Sequence, residues 1–379
     1  MAPHEIVILG GGVGGTLTAN VLARKLTRRR AHVTLIDRTG RHTFQPGWLY
    51  IPFGGEPPEQ LERDERRLLD RRVTLAIGDV AAINRATRVI EMADGMHFPY
   101  DTLVIATGAQ LAPETLPGYA EDAHHFYSAE AALRLQAALR NFNGGRIVVG
   151  AASAHYKCPP APLEFAFLLN DYLHQRGLRD RSEIIYASPT SHVFPIENVA
   201  DFVMPLLEER GIRTLLDFAA ASVDPQAHTL ATSDGRTLPY DLLVLVPPHQ
   251  GAQIMSDAGL SNGHGWVPTD HETLQCKTDP NIYVIGDAND LPVLKSGSAA
   301  HFEAKVVANR IVAELLNRHE LPRYTGEVMA FIETGQGQAS QIVLDYAHPP
   351  QPPAPSQLYH YEKTLFNKFY WYLVPSGAV

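Results

Sequence analysis

The chain has 379 residues, a formal net charge of −9 and two cysteines. It is long enough for two or three domains that each bury a core of their own. The acidic balance, without any long basic run, argues against nucleic acid as a partner, and two cysteines outside any CxxC pattern argue against a disulfide scaffold and against a metal site.

The N-terminal region predicts a strand, a glycine loop, a helix and a second strand. The strands cover residues 5–9 and 32–36, and the helix covers about 16–27. Because the chain enters its first strand without a charged leader or cleavage site, no signal peptide is expected. No run approaches the roughly 18 apolar residues that a membrane-spanning helix needs. We therefore expect a cytoplasmic protein whose membrane contact, if it has one, is peripheral.

The glycine loop of this unit has the pattern of a dinucleotide site. Gly10-Gly-Gly-Val-Gly-Gly15 supplies G-x-G-x-x-G between the strand and the helix, where the backbone can approach a pyrophosphate. Asp37 follows 22 residues after Gly15, at the end of the next strand, where a carboxylate accepts ribose hydroxyls. The plainer alternative is a glycine-rich turn followed by a solvated aspartate. The contacts predicted here are Gly10, Gly12, Gly15 and Asp37.

A second unit of the same kind starts at Gly145. The run 146–150 predicts a strand, and a helical pattern covers about 162–176. The segments 100–108 and 240–248 both read Tyr-Asp-x-Leu-Val, which indicates an internal duplication. Two such units predict two doubly wound domains.

The loop of the second unit lacks the glycines of the first. Gly150-Ala-Ala-Ser-Ala-His155 keeps only the first glycine, and its added Cβ atoms and the His155 ring would crowd a diphosphate. We therefore expect an electron donor other than NAD(P)H. The alternative is a tolerant loop that still binds NADH.

Two later segments complete a resemblance to the two-dinucleotide-domain flavoproteins. Ala106-Thr107-Gly108 and Ile282-Tyr-Val-Ile-Gly286-Asp287 are similar to the FAD-contact signatures of that class, in which the aspartate of the last segment holds the ribityl chain. The resemblance implies FAD as cofactor and an α/β, glutathione-reductase-like fold of two Rossmann-like domains with a small C-terminal segment. The implied division is a FAD-binding domain at 1–110 and 250–320, a second Rossmann-like domain at 111–249, and a C-terminal quinone or interface segment at 321–379.

A cysteine segment narrows the resemblance. Tyr156-Lys-Cys-Pro-Pro-Ala-Pro-Leu-Glu164, at the start of the second helix, resembles the cysteine motif of the sulfide:quinone oxidoreductases and the flavocytochrome c sulfide dehydrogenases. Residues 273–295 and 42–48 are similar to that group's second flavin signature and early flavin loop. The resemblance implies a FAD-dependent oxidoreductase that passes electrons from sulfide, or a related small sulfur donor, through FAD to a quinone. It adds the flavin contacts Gln45, Pro46, Val80, Ala106, Thr107, Gly108, Gly286, Asp287 and Lys295.

Three residues are the predicted catalytic groups: Cys158, Glu164 and Lys295. At a helix N-terminus beside Lys157, the Cys158 thiol should have a lowered pKa and be nucleophilic; the alternative is a small buried apolar residue. The resemblance implies that Glu164 shuttles protons, although a solvent-facing glutamate is an open alternative. It also implies that the Lys295 ammonium lies near flavin N1 and C2=O, where it would raise the flavin potential.

The sequence departs from the group at the second redox cysteine. The relatives pair the motif cysteine with one near the C-terminus, and the matching position here is Ala330. A further family cysteine falls near Ala131 and is also absent, and Cys276 is expected to be structural. Either Cys158 acts alone or the donor is not sulfide, and the sequence leaves both open.

The C-terminal segment is rich in aromatic rings at helical spacing. Such rings suit a quinone slot or a bilayer headgroup boundary, but they more often belong to a core. The resemblance also implies peripheral membrane contact and a homodimer. A type II NADH:quinone reductase and an electron-transfer or sulfur-carrier subunit that docks with a cytochrome remain the alternative functions. The predicted quinone contacts are Phe331, Tyr370 and Trp371.

Overall fold

The computed structural model describes residues 2–377. Residues 1, 378 and 379, which belong to the outermost predicted segments, lie outside the described residues. The first part of the chain forms short strands around one long helix. Its elements are β1 (His4–Leu9), α1 (Val13–Lys25), β2 (Ala31–Asp37), β3 (Arg41–Thr43), β4 (Glu62–Asp64), α2 (Glu65–Leu68), β5 (Thr74–Ile77), β6 (Val80–Asn84), β7 (Val89–Met92), β8 (His97–Pro99), β9 (Thr102–Ile105) and β10 (Gln110–Leu111).

The middle of the chain repeats this alternation of strands and helices. Its elements are α3 (Tyr119–Asp122), α4 (Ala129–Asn141), β11 (Gly145–Ala151), α5 (Pro160–Gln175), β12 (Ser182–Ala187), α6 (Glu197–Glu209), β13 (Ile212–Leu215), β14 (Ala220–Asp224), β15 (Thr229–Thr232), β16 (Thr237–Pro239), β17 (Leu242–Val246) and β18 (His249–Gln250). The last part contains α7 (Gln253–Asp257), β19 (Gln275–Cys276), β20 (Asp279–Val284), α8 (Gly297–Leu315), β21 (Val328–Gly335), β22 (Gln338–Leu344) and α9 (Gln357–Leu373).

The first large sheet has the strand order β19-β20-β9-β1-β2-β5. Its neighbouring strands run parallel except at β19. Alternate residues of β1 point to opposite faces: Ile6 and Ile8 pack with the helices α1 and α8, whereas Val7 and Leu9 pack with the antiparallel sheet β6-β7-β8. Both faces are therefore covered, as a parallel sheet requires.

The second large sheet is built in the same way. Its order is β13-β12-β11-β17, and all its strands are parallel. Ile147 and Val149 face the helices, while Val148 faces the antiparallel sheet β14-β15-β16. The predicted fold of two doubly wound, Rossmann-like units is confirmed. Strand β20 returns to the first sheet after the second is complete, which supports a discontinuous first domain, while the boundaries at 110, 250 and 320 stay a prediction.

The two long helices after the glycine and cysteine segments begin earlier than predicted. Helix α1 begins at Val13, so Gly14 and Gly15 form part of its first turn. Helix α5 begins at Pro160, because proline is accepted in the first turn, where its missing N–H costs no hydrogen bond.

The C-terminal elements connect the two units. The hairpin β21-β22 packs against α5, and α9 packs against the hairpin. The proline-rich stretch 348–355 runs along β22, where Ser340 donates to the Pro353 carbonyl (2.7 Å). The Ser356 hydroxyl then accepts from Tyr359 N and caps α9. From α9, the Tyr370 ring packs 4.5 Å from the ring of Phe44, in the first unit.

Candidate active site

The glycine loop leaves open space at the N-terminus of α1. Gly10 has φ +104°, and a Cβ on it would lie 2.4 Å from the Ala106 carbonyl oxygen. Gly12 is the N-cap of α1, and a Cβ there would meet no heavy atom within 4 Å. A bare loop at a helix N-terminus can bring backbone N–H groups against a pyrophosphate. Gly10, Gly12 and Gly15 are therefore placed where the sequence predicts.

Asp37 ends β2 beside this loop. Its Oδ2 accepts from Gly11 N (2.8 Å), and its Oδ1 accepts from Thr39 N (2.8 Å) and Gly40 N (2.7 Å). An ionised carboxylate has about four acceptor positions, so Oδ2 can still accept from a ligand hydroxyl. The carboxylate thus fits the predicted ribose contact.

Two buried oxygens in the other flavin segments have no protein partner. Thr107 Oγ1 and Asp287 Oδ1 are both buried and make no hydrogen bond within residues 2–377. Their strands β9 and β20 are neighbours in the first sheet, so the segments 106–108 and 286–287 meet at its carboxyl edge, beside the glycine loop. Burial raises the pKa of Asp287, against the charges of Lys157 and Lys295. A polyhydroxyl chain at this edge would satisfy both oxygens, so the residues present fit FAD.

The early loop reaches the cysteine segment directly. Gln45 and Pro46 open a short 3-10 helix, Gln45–Leu49. The Gln45 amide oxygen accepts from the Lys157 ammonium at 2.8 Å. Val80, in contrast, packs against the core of the first sheet.

Cys158 is held in an unusual backbone conformation. Its φ is +53°, in the left-handed region that non-glycine residues rarely adopt. Its N–H donates to the Lys295 carbonyl at 2.7 Å. The Tyr127 hydroxyl donates to the carbonyl oxygens of Lys157 (3.0 Å) and Cys158 (3.2 Å). Backbone strain that the surroundings enforce is concentrated at functional sites, and two predicted catalytic residues, Cys158 and Lys295, are joined by a backbone hydrogen bond.

The predicted lowering of the thiol pKa is wrong. Burial raises the pKa of Cys158 to about 12, the charge of Glu164 adds to the increase, and Lys363 opposes it. Lys157 directs its ammonium to Gln45, and the helix begins two residues beyond the thiol, at Pro160. Desolvation therefore outweighs the helix dipole, and the thiol is protonated at neutral pH.

Glu164 is buried rather than solvent-facing. It forms an ion pair with Lys363, which is buried on α9, and it accepts from Glu333 N at 2.8 Å. Burial raises the pKa of Glu164 against the effect of Lys363. Burial alone would lower the pKa of Lys363, but the charges around it, first that of Glu164, raise it.

Glu333 extends this buried cluster toward solvent. Its carboxylate accepts from the Tyr50 hydroxyl (3.1 Å) and lies 3.0 Å from His360 Nδ1. It also lies 3.7 Å from the Lys363 ammonium. The His360 side chain is 32% exposed, so a series of polar groups, joined by hydrogen bonds and by the Glu333–Lys363 ion pair, leads from the surface to Glu164.

Lys295 lies at the Asp287 turn. Its ammonium donates to the carbonyl oxygens of Asn289 (2.5 Å) and Asp287 (3.2 Å) and lies 4.1 Å from the centre of the Trp266 ring. Burial lowers its pKa, against the charge of Asp287. The structure thus brings Lys295 to the flavin segment, and its effect on the flavin stays a prediction.

The predicted quinone residues do not share one environment. Tyr370 is buried and its hydroxyl lies 2.7 Å from His42 Nε2, so it belongs to the core between α9 and the first unit. Trp371 is partly exposed beneath the Arg63 guanidinium (5.0 Å). Phe331 is partly buried on β21. Their contact with a quinone stays a prediction.

The alanines and the second cysteine lie in different cores. Ala330 on β21 packs against the same core cluster as Cys158, so the family's second cysteine position lies on the side of the molecule that carries Cys158. Ala131 is buried on α4. Cys276 is buried in the first unit, with its sulfur 3.3 Å from Thr278 Oγ1, as expected for a structural residue.

The second nucleotide loop carries side chains where the first carries glycines. Ala152 and Tyr156 are buried, and the Tyr156 ring joins the core. Strand β12 ends at Ala187 and is followed by Ser188, where an NAD-binding unit carries a ribose-binding carboxylate. Two features of a nicotinamide site are therefore absent from this part of the described chain.

Sequence reasoning missed four buried polar residues. Lys363, Glu333, His249 and Glu303 are all buried. The signal that was present is a charged or imidazole side chain within an apolar run, which needs a partner when the run is buried. Within residues 2–377, no group of three or more His, Cys, Asp or Glu is arranged to hold a metal, and no helix is both long and apolar enough to cross a membrane.

The fold and the three converging segments define a flavoprotein with two dinucleotide domains. The model of the pyridine nucleotide-disulphide oxidoreductases matches residues 4–304, and the chain belongs to that family. The predicted cofactor, FAD, and the class of flavin-dependent oxidoreductase are confirmed.

Similar proteins confirm the resemblance to the sulfide:quinone oxidoreductase group. The mitochondrial sulfide:quinone oxidoreductase of Mus musculus is 25% identical over 358 residues, 92% of this chain and 79% of that protein. The sulfide-quinone reductase of Aquifex aeolicus is 26% identical over 405 residues, 100% of this chain and 93% of that protein. The X-ray structure of the sulfide:quinone oxidoreductase from Aquifex aeolicus is 24% identical, covers 99% of this chain and 92% of that chain, and superposes with a TM-score of 0.88.

Proposed function

We propose that the chain passes electrons from sulfide through FAD to a quinone. The observation that carries the proposal is the position of Cys158. Its backbone N–H donates a hydrogen bond to the carbonyl of Lys295, beside the Asp287 turn. Cys158 lies on the loop that follows β11, at the carboxyl edge of the second sheet. Ligands of doubly wound domains bind at that edge, and here a thiol stands in place of a nicotinamide site.

The second loop favours sulfide over NADH as the donor. A diphosphate would meet the Cβ atoms of residues 151–154 in place of glycines, and no carboxylate follows β12 to hold a ribose. A type II NADH:quinone reductase needs both contacts. The proposed donor needs neither, since sulfide is small enough to reach a thiol beside the flavin.

One thiol must serve the reaction if this proposal holds. Cys276 lies in the core of the first unit, and Ala330 occupies the second cysteine position. A sulfur relay between two cysteines is therefore not open to this chain. Cys158 is the group that would contact the sulfur donor, with Lys295 and Glu164 beside it.

The direct experiment is an anaerobic titration of the yellow protein, followed at the flavin absorption band. Sulfide should bleach the band, NADH should leave it unchanged, and a short-chain quinone should restore it. Bleaching by NADH within seconds would replace the proposal with a type II NADH:quinone reductase. Co-purification with a haem protein and negligible quinone reduction would replace it with a carrier subunit.

A Cys158→Ser variant tests the role of the thiol. We expect normal FAD content and at least about a 100-fold slower reduction by sulfide, because the S–S bond between sulfide and Cys158, whose formation would release two electrons to FAD, cannot form on a serine oxygen. Cys276→Ser is the matched control, since it changes the chain's other cysteine, which is buried in the core of the first unit. Reduction of Cys158→Ser at the parent rate would refute the assigned role.

The outer face of α9 supports peripheral contact with a bilayer, where quinones are dissolved. An apolar stripe at helical spacing runs along this face with exposed fractions of 63% (Leu358), 65% (Tyr361), 56% (Leu365), 48% (Phe369) and 73% (Tyr372). Large exposed apolar side chains in one stripe mark an interaction surface. The predicted cytoplasmic location and the homodimer stay predictions.

Vesicle flotation tests this contact. The parent should float with phospholipid vesicles, and Leu365→Glu should reduce the bound fraction several-fold because a charge in the stripe must be desolvated. Leu133→Glu is the matched control: Leu133 is 45% exposed on α4. If the parent stays unbound and elutes as a dimer that Leu365→Glu dissociates, the stripe is a subunit interface instead.

A further inference from the structure

His249 carries a buried nitrogen without a protein partner. The residue is 8% exposed, and its Nδ1 lies 2.8 Å from the Pro247 carbonyl oxygen. A carbonyl can only accept, so Nδ1 carries the hydrogen of this bond. Burial and, second to it, the charge of Lys157 lower the pKa of His249 to about 3, so the ring is neutral. Its Nε2 is therefore a hydrogen-bond acceptor, and it is unsatisfied within the described chain.

His249 lies between the flavin segment and the thiol segment. It follows β17, whose neighbour β11 leads into the loop with Lys157 and Cys158. Its strand β18 pairs with β10, two residues beyond Gly108. Its ring packs edge-on against Tyr127 (5.4 Å), whose hydroxyl binds the carbonyls of Lys157 and Cys158. This is the carboxyl edge of the second sheet, where the proposed donor would bind.

The surroundings supply one positive charge next to this acceptor. Lys157 is close enough to act on His249 electrostatically. Its ammonium uses one donor on Gln45 and has three in total. The neighbouring His125 is also neutral, since burial lowers its pKa to about 4. Asp287 is the carboxyl group that acts on Lys157, and burial raises the pKa of Asp287. A ligand here therefore meets an acceptor that needs a hydrogen and an ammonium with donors still free.

We propose that His249 Nε2 and the Lys157 ammonium form the binding site for hydrosulfide, with the S–H group donating to Nε2 and the negative charge resting against Lys157. This rests on the proposed function, because it assumes a sulfide donor. Hydrosulfide has one hydrogen and one negative charge, which match the two protein groups. Chloride and thiocyanate lack the hydrogen and leave Nε2 unsatisfied.

Rapid-mixing measurements of anaerobic flavin reduction test the acceptor. His249→Phe keeps a ring against Tyr127 but removes Nε2. We expect the sulfide concentration for half-maximal rate to rise about tenfold, with the limiting rate within about twofold, because binding is lost and chemistry is not. His249→Gln keeps an acceptor oxygen, so its half-saturating sulfide concentration should lie between those of the parent and His249→Phe. The control is His155→Phe, at an exposed histidine of the loop that carries Lys157 and Cys158.

Two kinetic outcomes would overturn the proposal. An unchanged half-saturation in His249→Phe would mean that a structural water fills the acceptor. A limiting rate that falls while half-saturation stays constant would mean that His249 acts on the chemistry and not in binding.

Nitrogen NMR of ¹⁵N-histidine-labelled protein separates this proposal from the proposed function. Anaerobic hydrosulfide should shift one ring resonance, equal chloride should not, and His249→Gln should lack that resonance. A shift without flavin reduction would support the binding site and refute the sulfide oxidase function. Flavin reduction with no shifted resonance would support the proposed function and refute the binding site at His249.

Discussion

Three of the unpaired buried atoms support the proposed ligand site of this protein. More than nine in ten buried polar groups in proteins are hydrogen-bonded, yet Thr107 Oγ1, Asp287 Oδ1 and His249 Nε2 have no partner within residues 2–377. The first two lie in the FAD segments, and the third lies where the donor would approach. Each is explained if the partner is a ligand rather than another side chain.

Glu303, on α8, also has a buried oxygen without a partner and gives a prediction about pH. Its Oε2 accepts from Gly286 N (2.5 Å) and Asn289 Nδ2 (3.0 Å), while Oε1 has no partner in the described chain. Burial raises its pKa from 4.5 to about 8. The folded protein therefore keeps this proton between about pH 4.5 and 8, whereas the unfolded chain releases it, so stability falls as pH rises through this window.

Glu303→Gln should remove this pH dependence. Glutamine keeps the acceptor for Gly286 and Asn289 and has no proton to lose, so its advantage over the parent should grow from pH 5 to pH 8, to at most about 5 kcal/mol. Thermal unfolding at several pH values measures the difference. Glu314→Gln, on the same helix but with a 37% exposed side chain, is the control. Parallel profiles of parent and Glu303→Gln would contradict the raised pKa.

At the scale of elements, one ion pair fastens α9 to α5. Lys363 and Glu164 are 199 positions apart in sequence, and Glu333 of β21 binds both. Breaking a buried pair on one side leaves an uncompensated charge. Lys363→Met should therefore lower the free energy of unfolding by about 3 kcal/mol at pH 7, measured by urea denaturation.

The double variant separates charge from packing. Glu164→Gln added to Lys363→Met should recover part of the loss, because the buried carboxylate is then neutral. Lys368→Met, at an exposed lysine of the same helix, should be nearly neutral. A loss in Lys368→Met equal to that in Lys363→Met would contradict the ion-pair explanation.

The elements also show which parts of the site the sequence could predict. The glycine loop, Asp37 and the 286–287 turn are local patterns, because strand, loop and helix follow one another in the chain, and the structure places them as predicted. The Glu164–Lys363 pair and the thiol pKa depend on α9 folding back over α5. That contact joins residues far apart in sequence, so no local pattern contains it. Tyr370 is likewise predicted as a ligand contact from its local sequence, because its hydrogen-bond partner His42 lies 328 positions away in the chain.

At the scale of the whole molecule, the predicted flavin site is formed by residues from three parts of the chain. Two of them, before and after the second unit, build the first sheet, and the third is the second unit. The glycine loop, the segment 106–108 and the turn at Asp287 surround one edge, and Gln45 joins them to Lys157 of the second unit. FAD that binds this folded arrangement and not the unfolded chain must stabilise it, by about 4 kcal/mol at a thousand times Kd.

Removal and return of the cofactor measure this coupling. Protein freed of FAD by a chaotropic salt should unfold several degrees lower than the parent, and added FAD should restore the Tm. Riboflavin should restore little, because it lacks the pyrophosphate and ribose that we predict to contact the glycine loop and Asp37. NADH should leave the Tm of FAD-free and FAD-loaded protein unchanged, because the second loop has Cβ atoms where a dinucleotide loop has glycines. An increase with NADH comparable to that with FAD would show that the second unit binds a dinucleotide and would restore NADH as the electron donor.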